Sequence, residues 1–318
     1  MRISRGLPAA ADGPTAFTIG NFDGVHLGHE AMLDELLRAA RRLAFPACVL
    51  TFEPHPREFF APDKAPTRLT SLREKLELLA ACGVDRVHIC RFNYGFAQIT
   101  AEEFIERVLV RGLGARWVLV GDDFRFGARR AGDFTMLRQA ASRLGFEVQA
   151  LPSVTLGGER VSSTAVRGAL AAGELARARE LLGRPYSISG RVVRGDGLGR
   201  TLGFPTANVQ MKHNRPPLTG IFAVTVGGVA ERPLPGVASL GVRPTIRAGG
   251  APVLEAHLFD FNEDLYRRHV RIDFHRKLRD EEKYADLTTL TRQIARDVED
   301  AKAFFNGQDV KTSRTANL

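Results

Sequence analysis

Thr18-Ile19-Gly20-Asn21-Phe22-Asp23-Gly24-Val25-His26-Leu27-Gly28-His29 decides how the first half of the chain is read. The apolar run Ala16-Phe17-Thr18-Ile19-Gly20 is strand-like, and it empties into a glycine-bearing turn from which a helix begins near Leu27. A helix start leaves amide N–H groups free and carries a partial positive charge, so it binds phosphate. Gly24 and Gly28 let the backbone come close to a ligand. His26 and His29 are three residues apart, so both imidazoles can address one ligand from the first helical turn. The run lacks the Gly-Lys-Ser/Thr of a P-loop. It also lacks the i, i+4 histidine pair and third ligand of a zinc protease.

Outward from this turn, strands and helices alternate. ACVLTF (47–52), RVHIC (86–90), WVLVG (117–121) and FEVQALP (146–152) are short apolar runs. Between them, Leu72, Leu76 and Leu79 recur at helical spacing until Gly83. Thr100 and Glu103 form a capping box ahead of Phe104, Val108 and Leu109. Strands joined through helices predict a parallel sheet with right-handed crossovers, with ligands outside the carboxyl ends of its strands. NFDGVHLGH, EPHP and GDDFRFG all fall at those ends. Farther on, Ser162-Ser163-Thr164-Ala165-Val166-Arg167 precedes an Ala/Leu-rich helix, a second candidate anion site.

The period changes near LLGRPYSISG. In HVRIDFH, Val270, Ile272 and Phe274 alternate with Arg271, Asp273 and His275, the mark of a half-buried antiparallel strand. Several such runs between Gly/Pro turns predict a barrel or sandwich. A closing helix follows, with Leu287, Leu290, Ile294, Val298, Ala301 and Phe305 on one face. The expected organisation is a first domain over 1–183, a second over 184–308 and a flexible tail over 309–318.

The second chemical segment is Gly195-Asp196-Gly197-Leu198-Gly199-Arg200-Thr201-Leu202-Gly203-Phe204-Pro205-Thr206-Ala207-Asn208. Its closely spaced glycines predict a flexible loop whose amides wrap a polyphosphate. Thr206 and Asn208 add neutral oxygens of the kind that suit Mg²⁺. In VLEAHLFDF, Glu255 stands mid-strand on the face opposite Leu254, Ala256 and Leu258.

Composition bounds the rest. The 318 residues are 44% hydrophobic and 25% charged, which is globular and excludes wholesale disorder. No run of about 18 apolar residues occurs, so no transmembrane helix is expected. The start carries two Arg and no apolar core, which makes a poor secretory signal. Three cysteines without a CxxC pair fit a reducing, cytoplasmic setting, and Cys48 and Cys90 fall in strands. The net charge of +9 is spread over both halves without a Lys/Arg block. No nucleic-acid motif accompanies it, so neither nucleic acid nor membrane is expected as a partner.

TIGNFDGVHLGH, GDDFRFG and SSTAVR together resemble the adenylyltransferase module of the bacterial bifunctional riboflavin kinase/FAD synthetase family. GRTLGFPTAN and the Glu255 strand resemble its riboflavin kinase module. The resemblance covers about residues 14–305. It implies a Rossmann-like HxGH nucleotidyltransferase domain followed by a six-stranded antiparallel β-barrel with a terminal helix. The implied substrates are riboflavin, FMN and ATP, with Mg²⁺. By the same likeness, His26 and His29 contact the ATP phosphates and stabilise departing pyrophosphate, and Ser163, Thr164 and Arg167 hold the outer phosphates. Asn21, Asp23, Gly24 and Asp123 line the nucleotide or metal side. In the kinase module, Gly197, Gly199, Arg200, Gly203 and Pro205 form the phosphate loop, Thr206 and Asn208 hold Mg²⁺ and ATP phosphates, and Glu255 is the general base. Many relatives carry Asn at the position of Asp123 and Arg at that of Leu198. LGVRPT resembles a loop flanking the flavin site and has no expected catalytic role. Two other readings stand beside this one. The first is a monofunctional riboflavin kinase with a degenerate adenylyltransferase domain, for which Asp123 is the sequence sign. The second is a flavin- or RNA-binding regulator, which lacks aromatic-basic interleaving in its favour. Oligomeric state is not legible.

Overall fold

The computed structural model describes residues 1–195, 197–212, 215–242 and 252–315. By packing, the chain forms two units, one of residues 1–66 with 72–163 and one of 67–71 with 164–318.

The first unit is built on a six-stranded parallel sheet: β1 (Arg2–Arg5), β2 (Thr15–Ile19), β3 (Ala47–Glu53), β4 (Arg86–Arg91), β5 (Ala115–Gly121) and β6 (Glu147–Leu151), in the order β1-β4-β3-β2-β5-β6. All five residues of β2 are buried, as expected for a strand covered on both faces. One face packs Ala16, Val49 and Leu119 against Leu33 and Leu36 of helix α1 (Leu27–Leu43) and Leu79 of α2 (Leu72–Ala81). The other packs Phe17, Leu50 and Val118 against Ile105, Leu109 and Leu137, the last from α3 (Phe134–Leu144).

The Thr100–Glu103 capping box is present, its two reciprocal bonds each 3.1 Å long. Phe104, Val108 and Leu109 are buried as their spacing predicts, yet Phe104–Gly112 is a π-helix. The residue types are those of an ordinary amphipathic helix, so the wider winding leaves no mark in the sequence. Strand β1 is a second feature the sequence reading did not assign. It extends the sheet beside β4, pairing Arg2 with Arg86 and Ser4 with His88. A small hairpin, β7 (Thr155–Leu156) with β8 (Glu159–Arg160), follows the sheet.

The second unit contains a closed antiparallel barrel of six strands: β9 (Tyr186–Val193), β10 (Ala207–Gln210), β11 (Gly220–Gly227), β12 (Leu234–Val242), β13 (Pro252–Leu258) and β14 (His269–Arg279). Ile188, Phe222, Val224, Leu254, Ile272 and Phe274 fill its interior, and closure leaves no open edge. Helix α4 (Ser163–Ala171) leads into α5 (Leu175–Leu182), whose buried Leu175, Ala178, Leu181 and Leu182 accompany packing on β14 and β9. The packing division falls between Ser163 and Thr164, whereas the change of period places the expected junction at 183/184. The closing helix α6 (Leu287–Thr315) lays Val298 and Ala301 on the outside of the barrel beside Ala223 and Val237. Its backbone stays helical to Thr315, through most of the stretch expected to be a tail.

Candidate active sites

In the first unit the chain fills β2, β3 and β4 to one side, then crosses to place β5 on the other side of β2. The sheet's switch point thus lies between β2 and β5, where open α/β sheets hold ligands. The turn after β2 occupies it. Phe22, Gly24 and Val25 all have positive φ (49°, 84° and 40°). Such backbone is costly for side chains other than glycine. The full burial of Phe22 and near-full burial of Val25 hold it in place. The bend delivers His26 as the N-cap of α1, its Nδ1 accepting from the His29 amide at 3.3 Å. The two imidazoles stack with centroids 3.7 Å apart, and Phe22 supports His29 at 4.9 Å. A methyl on Gly28 would press on the His26 ring at 3.2 Å, so the glycine makes room for the stack.

Among the described residues, Asn21 Oδ1 is enclosed without a hydrogen-bond partner, an uncommon state for a buried oxygen and one that a ligand donor would relieve. The Asn21 carbonyl accepts from Thr51 Oγ1 at 3.3 Å, and that hydroxyl accepts from buried Lys75 Nζ at 3.4 Å. Ser163 Oγ donates to the Asp23 carbonyl at 2.9 Å, which joins a residue 140 positions downstream to the turn. Asn21, Asp23, Gly24, His26, His29 and Ser163 are therefore one cluster. Asp123, in the turn after β5, is exposed and accepts from Arg160 at 2.8 Å. Thr164 and Arg167 belong to the second unit, where Arg167 Nε donates to the Thr67 carbonyl at 2.6 Å.

Sequence reading missed an aromatic cluster at the carboxyl ends of β3 and β4. Phe92 meets Phe52, Phe59, Phe60 and Phe96 with centroids 5.5–5.9 Å apart. Phe60 is 65% and Tyr94 73% exposed. The available signal was the crowding of aromatics in loop sequence, PREFF and RFNYGF, where large apolar groups are not needed for a core.

The second unit carries a cavity of about 260 Å³ on the outer face of the barrel beneath α6. Glu255 and His257 line it, on the alternate face of β13 from buried Leu254, Ala256 and Leu258, as the strand period requires. Thr206 Oγ1 donates to Glu255 Oε2 at 3.5 Å, and Asn208 lies opposite Glu255 in the β10–β13 register. His257 Nδ1 donates to the Pro205 carbonyl at 2.9 Å and fixes the approach to β10.

The glycine segment is more ordered than a flexible loop. Leu198–Thr201 is a helical turn, entered through Gly197 (φ 73°) and followed by Gly203 (φ 89°). A side chain at Gly199 would lie 2.5 Å from the Phe204 carbonyl and 3.2 Å from Thr206 Oγ1. One at Gly195 would fall on the Asn208 amide. These two glycines are thus close-packing positions against the Thr206 and Asn208 side of the site. Gly199, Thr206 and Glu255 line the cavity, whereas Gly197, exposed Arg200, Gly203 and Pro205 surround it on the loop. Arg243, Pro244 and Thr245 of the LGVRPT stretch, and Asp196, lie outside the described residues.

The remaining walls are largely apolar, including Leu202, Ile221, Val237, Leu290 and Ile294. Arg279 closes one end through a bidentate pair with Asp297, at 2.8 and 2.7 Å, and stands 5.7 Å over the Tyr284 ring. Hydrogen bonding to Asp297 holds the guanidinium pKa above its ordinary value. Asp297 is 3% exposed and also accepts from Gln293 at 3.0 Å. Its sequence signal was an acid three residues past Ile294 on the apolar stripe of a helix. Among the described residues, no group of three or more His, Cys, Asp and Glu side chains forms a metal cluster.

The FAD synthetase family model matches residues 9–165, and the riboflavin kinase family model matches residues 182–305. The chain is 51% identical over 308 residues to the bifunctional riboflavin kinase/FMN adenylyltransferase of Escherichia coli K12, covering 96% of this chain and 98% of that one. It is 50% identical over 286 residues to the enzyme of the same name from Pseudomonas fluorescens, covering 90% and 91%. Among solved structures it is similar to one titled as a macrolide-efflux protein from Streptococcus pneumoniae, with 27% identity, a TM-score of 0.80, and 93% and 97% coverage.

Proposed function

The chain belongs to the bifunctional riboflavin kinase/FMN adenylyltransferase family, and we propose that its two units carry the two reactions separately, at the sites just described. The observation that carries this reading is the Glu255–Thr206 pair in the barrel cavity, in a chain that also holds the stacked His26–His29 turn.

In the second unit, the ribityl 5′-hydroxyl of riboflavin attacks the γ-phosphorus of ATP. The new bond is O–P, the γ–β bridge breaks, and ADP leaves. Glu255 accepts the hydroxyl proton as the oxygen attacks. The apolar walls take the flavin ring system, and the Gly197–Gly203 segment offers amides to the phosphates. Thr206 and Asn208 supply hard, neutral oxygen donors that fit Mg²⁺ better than a softer metal. They would hold that ion, which supplies charge neutralisation for the phosphates.

In the first unit, an FMN phosphate oxygen attacks the α-phosphorus of ATP, a new P–O–P bridge forms, and pyrophosphate departs. Positioning and charge stabilisation suffice, without a covalent intermediate. His26 and His29, at a helix start, stabilise the leaving charge, and Asn21 Oδ1 accepts from the nucleotide. The Phe52–Phe96 cluster offers a stacking surface for the flavin ring. Against a decayed first unit, whose one sequence sign is Asp123, stand the family match and the intact HxGH turn.

Burial pushes the Cys48 and Cys90 thiols up to about 12, which makes them poor nucleophiles. The three free cysteines suit a reducing cytoplasm, where we place the enzyme. Among the described residues, no helix is long and apolar enough to cross a membrane. Incubation with ATP, Mg²⁺ and riboflavin, followed by chromatography, is expected to show FMN and then FAD. Product that stops at FMN overturns the bifunctional reading.

A further inference from the structure

On the sheet face whose centre carries Phe17, Cys48 and Leu50, the edge strands present polar groups instead. The parallel register aligns Arg2 with Arg86 and Ser4 with His88, so all four side chains share one face. The strap from Gly6 to Gly13 and the end of the π-helix at Gly112 close over them, and Pro8 packs so tightly that a methyl on Gly112 would sit 2.9 Å from its carbonyl. A cavity of about 210 Å³ remains, and Arg5 lines it as well.

We propose that this cavity, lined by Arg2, Ser4, Arg86 and His88 with Asp12 beside Arg2, is an anion site that takes a compact phosphate-bearing ligand. The charge balance is the first ground. Among the described residues Arg5 and Arg86 form no ion pair, while Arg2 meets only Asp12, at 3.4 Å, with both side chains exposed. Exposed pairs of that kind neutralise little. Two guanidinium groups, those of Arg2 and Arg86, share the concave face with a single carboxylate, Asp12, so the field concentrates anions, and their forked donors match phosphate oxygens.

Hydrogen-bonding capacity is the second ground. Ser4 Oγ and His88 Nδ1 are 2.7 Å apart, and in the tautomer whose Nδ1–H donates to Ser4 the hydroxyl's own O–H is free to donate to a ligand oxygen. Burial, then the charges of Arg86 and Arg2, hold the His88 imidazole below its ordinary pKa, with Asp12 opposing. An anion seated here would reverse that bias. The volume is below that of typical drug-sized pockets, so the ligand is small. The cavity sits under the strap that precedes β2, whereas the HxGH turn lies beyond the carboxyl end of that strand.

The test is an NMR titration of the full-length protein with inorganic phosphate at constant ionic strength, with chloride as control. His88→Asn assigns the reporting imidazole. We expect saturable shifts of His88, with a dissociation constant of about a millimolar or tighter, and none with chloride. Arg86→Gln and Arg2→Gln should each weaken the response by about tenfold, with FMN and FAD formation unchanged. Arg2 is exposed, so its variant folds even if Arg86→Gln does not. A stronger response to glycerol 3-phosphate than to phosphate assigns an ester, the reverse assigns the free ion, and both uphold the site. Shifts equal in chloride, no shifts, or unchanged affinity in folded arginine variants overturn it.

Discussion

Thr206 Oγ1 stands 3.5 Å from Glu255 Oε2, with the hydroxyl directed at the carboxylate across adjoining strands of the barrel. The arrangement keeps the acceptor oriented toward the cavity. Glu255→Gln preserves size and one carbonyl oxygen for the Thr206 bond, but it cannot take up a proton. Riboflavin phosphorylation should fall by about 10²–10⁴-fold, the usual contribution of a positioned base. FAD formation from supplied FMN should be unchanged, measured by separating the three flavins. Loss of both activities in a folded variant would sink the assignment of separate sites.

Gly195 yields a second expectation, because its missing side chain is what lets Asn208 lie where it does. Gly195→Ala forces either the amide or the loop aside. The loop is exposed and gives way before the barrel does, so Tm should barely move. Kinase rate should fall by about ten- to a hundredfold, the scale of an ångström of misplacement. Gly227→Ala is the control, since its methyl meets only a carbonyl oxygen at 3.9 Å. Equal kinase rates in the two variants would remove Gly195 from the site.

The parallel sheet was legible because β2, β3 and β5 are apolar runs separated by helix-period segments. The barrel strands were legible in period but not in closure, since alternation is shared by barrels and sandwiches. The barrel itself came only with the family resemblance. Strand β1 escaped because RISR has one apolar residue and takes its place through pairing with β4, a long-range fact. The Ser163–Asp23 bond is equally invisible, because it joins positions 140 residues apart. The half-buried Arg279–Asp297 pair was hidden because charged residues in sequence read as surface until packing covers one of them, here Asp297.

His26 combines two jobs that substitution can separate. Its Nδ1 caps α1, and its ring stacks on His29. His26→Ala should lose about 0.5–2 kcal/mol of stability with the cap, along with FAD formation. Asn is a good N-cap, so His26→Asn should recover most of the stability. It carries no imidazole, and FAD formation should stay depressed by about 10²-fold or more. FMN formation should be normal in both. Recovery of FAD synthesis with Asn would reduce His26 to a cap.

His275 should make the second unit sensitive to mild acid. Burial holds its imidazole below the ordinary value, with Asp273 opposing and Arg179 assisting. Its Nε2 lies 2.9 Å from Thr225 Oγ1. Above the unfolded value of about 6.5, the ring is neutral in both states and adds no pH dependence. Below it, the unfolded chain takes up the proton before the folded one does, so stability drops until the pH reaches the lower folded pKa. The slope stays under about 1.4 kcal/mol per pH unit, further reduced by solvent because the ring is only half-buried. Asp273 acts in the opposite sense, since burial raises its pKa and favours the folded state in stronger acid. His275→Gln keeps a partner for Thr225 and removes the titration. Urea unfolding at pH 7.5 and 5.5 should show the variant losing less stability on acidification than the parent. Parallel losses would mean that His275 titrates alike in both states.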